Sequence, residues 1–255
     1  MLDVLTKLPE HFGIKKNGKS SDSDALEKLC ADLISSSPAK MIQVICSLKN
    51  ILADSTLIFP VLSDFVGFCS SYEVLERIAL NEEAFKGTKI VICQNEIPVS
   101  TTKRALQLGR AAGAKTIYSP APCPSREDFE TFSEQIDFLI ANQTEALELS
   151  GKETIEDAAT TLQEKYKLKS VIVTLGGDGF AVKSEGELTL HPVVEKVDVV
   201  DTTGAGDSFV GAFSYSLTKT QKTTIEHAKF ASMVASRSTT RKGTQKSYFC
   251  LSELE

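Results

Sequence analysis

Residues 200–209 read VDTTGAGDSF, an apolar, β-branched strand end followed by a glycine-rich turn and the start of an apolar helix. Such a turn aims several unpaired backbone N–H groups at one point, and the positive end of the helix dipole reinforces them. Glycine lets the main chain approach a phosphate where a side chain would collide. The turn from Gly204 to Gly206 therefore predicts an anion-binding site.

Asp207 stands in the first turn of the predicted helix, beside this anion site. A carboxylate placed there can accept the proton of an alcohol while the N–H groups stabilise the charge on a transferring phosphoryl group. A glycine-rich helix cap with an ordinary first-turn aspartate explains the four letters GAGD equally well. The two interpretations stay open on these residues alone.

The composition is that of a globular protein of one or two domains, with 255 residues, 42% hydrophobic and 24% charged. A net charge of -6 argues against nucleic acid and anionic membranes as partners, because both require a positive surface. The six cysteines form no CxxC pair, which favours reduced thiols inside the cell. We expect a cytoplasmic protein, with the nucleus open as an alternative, that has no signal sequence, no membrane span and small-molecule substrates.

The chain divides into two regions by pattern. Residues 1–85 contain only three glycines and carry apolar residues at helical spacing, which predicts a mainly helical segment. From residue 86 to 255, short β-branched runs alternate with amphipathic stretches, which is typical of βαβ units on a mostly parallel sheet flanked by helices. The predicted strands and extended runs are 89–93, 116–118, 136–141, 171–174, 180–183, 188–193 and 197–200. The predicted helices are 101–112, 126–135, 144–149, 155–166, 206–217 and 224–236.

The longer string DTTGAGDSFVGAF, residues 201–213, resembles a signature of the PfkB family, the ribokinase-like sugar kinases. Other stretches resemble parts of ribokinases in the same order: CQNEIP at 93–98, YSPAP at 118–122, ANQTE at 141–145, VTLGGDG at 173–179 and TRKGTQ at 240–245. The resemblance covers about residues 86–255. It implies an α/β ribokinase-like three-layer sandwich that transfers phosphate from ATP to a sugar hydroxyl, with ribose as the best match.

The resemblance also implies roles for individual residues. Asp207 is expected to be the catalytic base and to contact the sugar together with Glu96. The anion hole is expected at Gly204, Ala205 and Gly206. The residues expected at ATP are Asn142, Thr174, Leu175, Gly176, Gly177, Asp178, Gly179 and Gly206. Glu145 is expected to serve Mg²⁺, and the residues expected around K⁺, several through backbone carbonyls, are Asp201, Thr203, Ser238, Arg241, Gly243 and Ser247.

Most of these matches also have a purely structural explanation. Asn142 can cap a helix that carries Glu145 in its first turn. The glycines at 176–179 can form a hairpin turn. Their occurrence together, and in the family's order, favours the functional interpretation. Two departures, Ser119 for the asparagine of the family's NPAP stretch and Ser232 for an asparagine near adenine, affect fine nucleotide contacts.

Residues 1–85 show no counterpart of the strand, sugar-binding aspartate, GGKGxN motif and β-sheet lid with which ribokinases begin. Without them most sugar contacts are lost, and the closure that excludes water is compromised. Two functions therefore stay open, a sugar kinase and a catalytically weak pseudokinase or nucleotide-binding interaction module. A homodimer is disfavoured, because family dimers often join through the lid.

A second nucleotide motif stands at residues 13–20, where GIKKNGKS satisfies the P-loop spacing. A functional P-loop follows a buried strand, whereas the preceding residues 8–12 are LPEHF, with a proline and polar residues. We interpret this match as accidental.

Overall fold

A computed structural model describes residues 85–244, 247–250 and 253–254. The helical segment and the missing lid predicted for residues 1–85, and the P-loop-like string at 13–20, therefore fall outside the described residues, apart from residue 85 itself.

The described chain forms one six-stranded mixed sheet in which the strands lie in sequence order. The pairs from the first strand to the fourth are parallel, and the last two pairs are antiparallel. This confirms the prediction of a mostly parallel sheet. The strands are β1 (Ile90–Cys93), β2 (Lys115–Tyr118), β3 (Phe138–Asn142), β4 (Ser170–Thr174), β5 (Phe180–Ser184) and β6 (Glu187–His191).

Six α-helices accompany the sheet within the described ranges. They are α1 (Val99–Ala111), α2 (Arg126–Glu130), α3 (Gln143–Ser150), α4 (Ile155–Tyr166), α5 (Ala205–Lys219) and α6 (Thr224–Ser238). Short 3-10 turns lie at Ser133–Gln135 and Gly176–Asp178. None of the helices described is long and apolar enough to cross a membrane.

The helices cover the two faces of the sheet and create two cores. Leu139 and Val171 point to one face, where they join buried residues of α1 to α4. Their strand neighbours Ile140 and Ile172 point to the other face, where they pack with α5 and α6. Alternate side chains of a strand point to opposite sides, so β3 and β4 supply both cores at once. The result is the three-layer α/β arrangement that the resemblance implied.

The helix predicted over 126–135 is wrong in its second half, because the helix ends at Glu130 and a separate 3-10 turn follows. Phe129 and Phe132 are both fully buried against the Tyr118 ring, with centroid distances of 5.8 and 5.0 Å. The chain changes direction at Phe132, where φ is -132°, and this puts both rings into one cluster. Tertiary packing thus overrides the helical pattern here.

The extended run predicted over 197–200 is not part of the sheet. The N–H groups of Val200 and Asp201 both donate to the carbonyl oxygen of Thr239, at 2.8 and 3.0 Å. The run therefore docks on the end of α6, and its β-branched residues stay largely exposed, with Val199 at 61%. A β-branched pattern does not distinguish such a docked segment from an edge strand.

Candidate active site

The predicted site residues lie where ligands usually bind in an open α/β sheet. The carboxyl ends of the parallel strands β1 to β4 meet at one edge, and ligands of such sheets bind outside that edge. Gln94 follows β1 directly, whereas Asn142 and Thr174 are the last residues of β3 and β4. The topology thus brings together three motifs that are far apart in the chain.

The glycine-rich turn forms the N-terminus of α5. Gly204 is the N-cap residue with φ +76°, a left-handed conformation that favours glycine. The N–H of Ala205 donates to the carbonyl oxygen of Thr202 at 3.1 Å, inside the turn. The N–H groups of Gly206 and Asp207 make no hydrogen bond to any described residue, so they are the open donors at this end of the helix.

Asp207 is an exposed side chain in the first turn of α5. Its Oδ1 accepts a hydrogen bond from Nε2 of Gln94 at 3.0 Å. Asp207 thus carries one of the two open N–H groups and follows the other in the chain, and no described residue hydrogen-bonds to its second carboxylate oxygen. A group that takes a proton and groups that hold negative charge are adjacent, as phosphoryl transfer to an alcohol requires.

Asp201 connects the glycine-rich turn to the loop after α6 through hydrogen bonds. Its Oδ1 accepts from the hydroxyl and the N–H of Thr203 at 2.6 and 3.0 Å, and its Oδ2 accepts from the N–H of Gly243 at 2.9 Å. These hydrogen bonds, first that of the Thr203 hydroxyl and then that of the Gly243 N–H, lower the pKa of Asp201 to about 2. Three of the residues expected around K⁺ are thus in one hydrogen-bonded group.

We expect Asp201→Asn to lower the urea midpoint of unfolding at neutral pH, because the ionised carboxylate accepts all three of these bonds. The folded pKa lies below the ordinary value of 3.8, so the contribution is full above about pH 4 and disappears as the pH falls toward 2. The difference between parent and variant should shrink over that interval. Asp198→Asn, which removes a charge from a nearby exposed side chain, is the control. A pH-independent difference would contradict this account.

Tyr248, in the loop after α6, also hydrogen-bonds to the glycine-rich turn. The hydroxyl of Tyr248 donates to the carbonyl oxygen of Gly204 at 3.2 Å. A Cβ at Gly204 would lie 2.5 Å from that hydroxyl oxygen, so only glycine allows this close approach. Tyr248 did not stand out in the sequence, since it follows the motif at 240–245 and lies 44 residues from its partner.

The other residues expected around K⁺ use their side chains locally. The hydroxyls of Ser238 and Ser247 donate to the carbonyl oxygens of Ala235 and Thr244, at 2.8 and 2.6 Å. The guanidinium of Arg241 pairs with Glu253 at 2.9 Å and lies 3.8 Å from the centre of the Phe249 ring. Arg241 could therefore contribute to a cation site only through its backbone, whereas the two serine hydroxyls keep lone pairs that can accept.

A cavity of about 390 Å³ adjoins the glycine-rich turn. The predicted residues that line it are Thr174, Gly176, Gly177, Gly179, Ala205 and Gly206. Asn142, Leu175 and Asp178, which were also expected at ATP, are not in its wall. Leu175 packs against the core, and its N–H donates to the carbonyl oxygen of Gly179 at 2.8 Å. The glycines at 176–179 do form a hairpin turn between β4 and β5, and that turn is one wall of the cavity.

The sequence did not indicate the apolar residues that also line the cavity, which are Val193, Val197, Val199, Phe209 and Ala235. Ser232, which the resemblance placed near adenine, lines it as well, together with the polar residues Glu195, Lys196, Thr202, Ser236 and Thr239. The segment that carries the three valines is fastened to α6 by an ion pair between Glu195 and Arg237 at 2.8 Å. The cavity wall thus combines apolar side chains with polar residues and with part of the glycine-rich turn.

Asn142 and Glu145 form a reciprocal capping box at the start of α3. The Asn142 side chain accepts from the N–H of Glu145 at 2.9 Å, and Glu145 Oε2 accepts from the N–H of Asn142 at 2.8 Å. Burial raises the pKa of Glu145, and the hydrogen bond from Asn142 opposes this. The structural explanation of this motif is correct, and it leaves Oε1 of Glu145 available at the same sheet edge.

Glu96 is an exposed residue of the loop that follows β1. That loop is joined to the loop after β2, since the N–H of Ser119 donates to the Cys93 carbonyl oxygen at 2.9 Å and the N–H of Asn95 to that of Ala121 at 3.1 Å. The two motifs at 93–98 and 118–122 are therefore one structural unit beside Asp207.

The chain is similar to known carbohydrate kinases. The model of the pfkB family carbohydrate kinases matches residues 69–249. A ribokinase of Staphylococcus aureus is 32% identical over 185 residues, which are 70% of this chain and 59% of that protein. The ribokinase structure from Thermotoga maritima has a TM-score of 0.64 at 32% identity and covers 71% of this chain and 60% of its own. The structure of Arabidopsis thaliana ribokinase complexed with ribose and ATP has a TM-score of 0.55 at 30% identity and covers 69% and 55%.

The matched part of the chain thus spans somewhat less than three-fifths of the Staphylococcus aureus ribokinase. Within that part, the family match includes the sheet, the glycine-rich turn and the cavity beside it. The chain belongs to the PfkB family of carbohydrate kinases.

Proposed function

We propose that this protein is an ATP-dependent sugar kinase that phosphorylates a hydroxyl group of ribose, giving ribose 5-phosphate and ADP. The observation that carries the proposal is the position of Asp207 in the first turn of α5, directly after Ala205 and Gly206, which line the cavity. The comparison with a ribokinase complexed with ribose and ATP supports this substrate pair.

The chain's residues suit a nucleotide in the cavity. The valines and Ala235 offer apolar surface for a base, and Gly206, which also lines the cavity, offers its open N–H group to phosphate oxygens. A Cβ at Gly206 would meet no protein atom within 4 Å and would instead extend into open space. In the proposed reaction Asp207 accepts the proton of the sugar hydroxyl, and Glu96 binds the sugar.

Mg²⁺ would neutralise phosphate charge and be held by Glu145. Within the described ranges no three His, Cys, Asp or Glu side chains converge as metal ligands. Mg²⁺ in a kinase is commonly held by one or two carboxylates together with substrate phosphates. The available Oε1 of Glu145 is a suitable ligand.

K⁺ would lie beside the turn, near the group formed by Asp201, Thr203 and Gly243. Asp201 supplies the negative charge, and the loop that ends α6 supplies backbone carbonyls, while its arginine side chain is paired with Glu253. Comparison of the ribose-dependent rate in potassium and sodium salts tests this part of the proposal.

We expect the protein to bind Mg-ATP, and Gly206→Ala to weaken that binding about tenfold or more, because the added methyl group occupies space next to the phosphate donors. Calorimetry of folded protein measures the affinity. Gly211→Ala is the matched control, since Gly211 also lies in α5 with no atom within 4 Å of an added Cβ but does not line the cavity. Absence of ATP heat in the parent at millimolar nucleotide would contradict the proposal.

A second candidate function is a nucleotide-binding module with little sugar turnover. The sequence leaves this candidate open, because residues 1–85 show no counterpart of the family's sugar-binding aspartate and GGKGxN motif. Such a protein would bind Mg-ATP without forming ADP when ribose is added.

A further inference from the structure

Gln94 contacts Asp207, the candidate base, directly, and the proposed reaction assigns Gln94 no role. Its Nε2 donates to Oδ1 of Asp207 at 3.0 Å across 113 residues of sequence. Asp207 is exposed, and Gln94 is the only described residue that hydrogen-bonds to its carboxylate. An exposed aspartate without such a partner would sample several rotamers, so this contact selects one orientation.

The backbone of Gln94 is itself held in place. The preceding residue, Cys93, accepts a hydrogen bond from Ser119 at 2.9 Å, and the following residue, Asn95, donates one to Ala121 at 3.1 Å. Gln94 is also half-buried, unlike Asp207. The backbone around Gln94 is therefore held in place by hydrogen bonds. The exposed side chain of Asp207 is the group whose orientation depends on the bond from Gln94.

We propose that Gln94 is a positioning residue, which fixes Asp207 through Oδ1 so that Oδ2 faces the acceptor hydroxyl. This rests on the proposed function, in which Asp207 is the base. In that step the sugar oxygen forms a bond to the γ-phosphorus, the bond from that phosphorus to the bridging oxygen of ADP breaks, and the hydroxyl proton passes to Oδ2. A correctly oriented base raises the rate of the step and leaves nucleotide binding unaffected.

The residue type matches this role. An amide offers a donor to the carboxylate and brings no charge of its own. A glutamate at position 94 would have the same size but would place a second carboxylate next to Asp207, and two adjacent carboxylates share a proton. The length of the side chain matters too, because the donor must reach from the loop after β1 to the start of α5.

The test compares the parent with Gln94→Ala and Gln94→Glu, and with Gln107→Ala as the matched control on α1. We expect Gln94→Ala to lower kcat about tenfold with the KM for ATP unchanged, which is the loss of one hydrogen bond to a charged group. Gln94→Glu should move the acid limb of the rate–pH profile to higher pH. Gln107→Ala should resemble the parent.

A second measurement does not depend on turnover. Three-bond couplings in NMR spectra report the χ1 rotamer of Asp207, which we expect to be single in the parent and averaged in Gln94→Ala. A single rotamer in that variant, or a parental kcat, would overturn the positioning role. If the parent shows no sugar-dependent turnover, the proposed function fails, and the rotamer measurement alone then decides whether Gln94 orients Asp207.

Discussion

Asp207→Asn should lower sugar-dependent ADP formation by about 100- to 10,000-fold, the usual cost of losing a general base. The substitution keeps the size of the side chain and removes its ability to accept the hydroxyl proton. ATP affinity should stay near that of the parent, because Asp207 is not in the cavity wall and the N–H groups of the turn are unchanged. A coupled assay and calorimetry measure the two quantities.

A matched control separates this effect from loss of a helix-stabilising charge. Asp157 occupies the same third position of α4 that Asp207 occupies in α5, and its carboxylate accepts a hydrogen bond from Thr154 at 2.9 Å. Asp157→Asn should leave turnover unchanged. Unaltered turnover in Asp207→Asn would show that Asp207 only caps its helix, and the mechanism would then be wrong.

Gly179→Ala should destabilise the fold by about 3 kcal/mol or more, because the conformation and the space at this position both exclude a side chain. Gly179 has φ +104° and ψ -126°, a region that essentially only glycine adopts. A Cβ there would overlap the carbonyl oxygen of His191 and lie 2.6 Å from the carbonyl carbon of Pro192. These are backbone atoms, so relief requires the turn before β5 to move away from the end of β6 and from Pro192.

Urea unfolding followed by circular dichroism measures this loss. Gly177→Ala is the control in the same turn, since its φ is not positive and an added Cβ meets nothing within 4 Å. We expect the control to stay within about 1 kcal/mol of the parent. Equal midpoints for the two variants would show that the turn can rearrange and that the cavity wall is not fixed by Gly179.

Elements with strong local signals could be predicted from the sequence. The helix over 155–166 has the predicted bounds, because Thr154 caps it and its apolar residues recur at helical spacing. The predicted helix over 126–135 was divided, since burial of two phenylalanines around Tyr118 depends on residues that are distant in sequence. The run at 197–200 packs on the end of α6 because its backbone hydrogen-bonds to Thr239, and its β-branched pattern does not reveal that partner.

The residues of the candidate active site likewise fall into those that a local sequence pattern indicates and those that it does not. The motifs indicated Asp207, the glycine-rich turn and the glycines at 176–179, because glycine and first-turn carboxylates have local conformational signatures. Gln94 and Tyr248 reach the turn from 113 and 44 residues away, and no local pattern encodes those contacts. Leu175 and Asp178 share a motif with the cavity glycines, but proximity in sequence did not place them in its wall.

The most direct test of the central claim is ADP formation by the parent protein with Mg-ATP, with and without ribose, in potassium buffer. We expect ribose to raise the rate well above the ribose-independent rate, and sodium to support less of that increase than potassium. An equal rate with and without ribose, in protein that binds ATP by calorimetry, would contradict phosphoryl transfer to this sugar and favour the nucleotide-binding module.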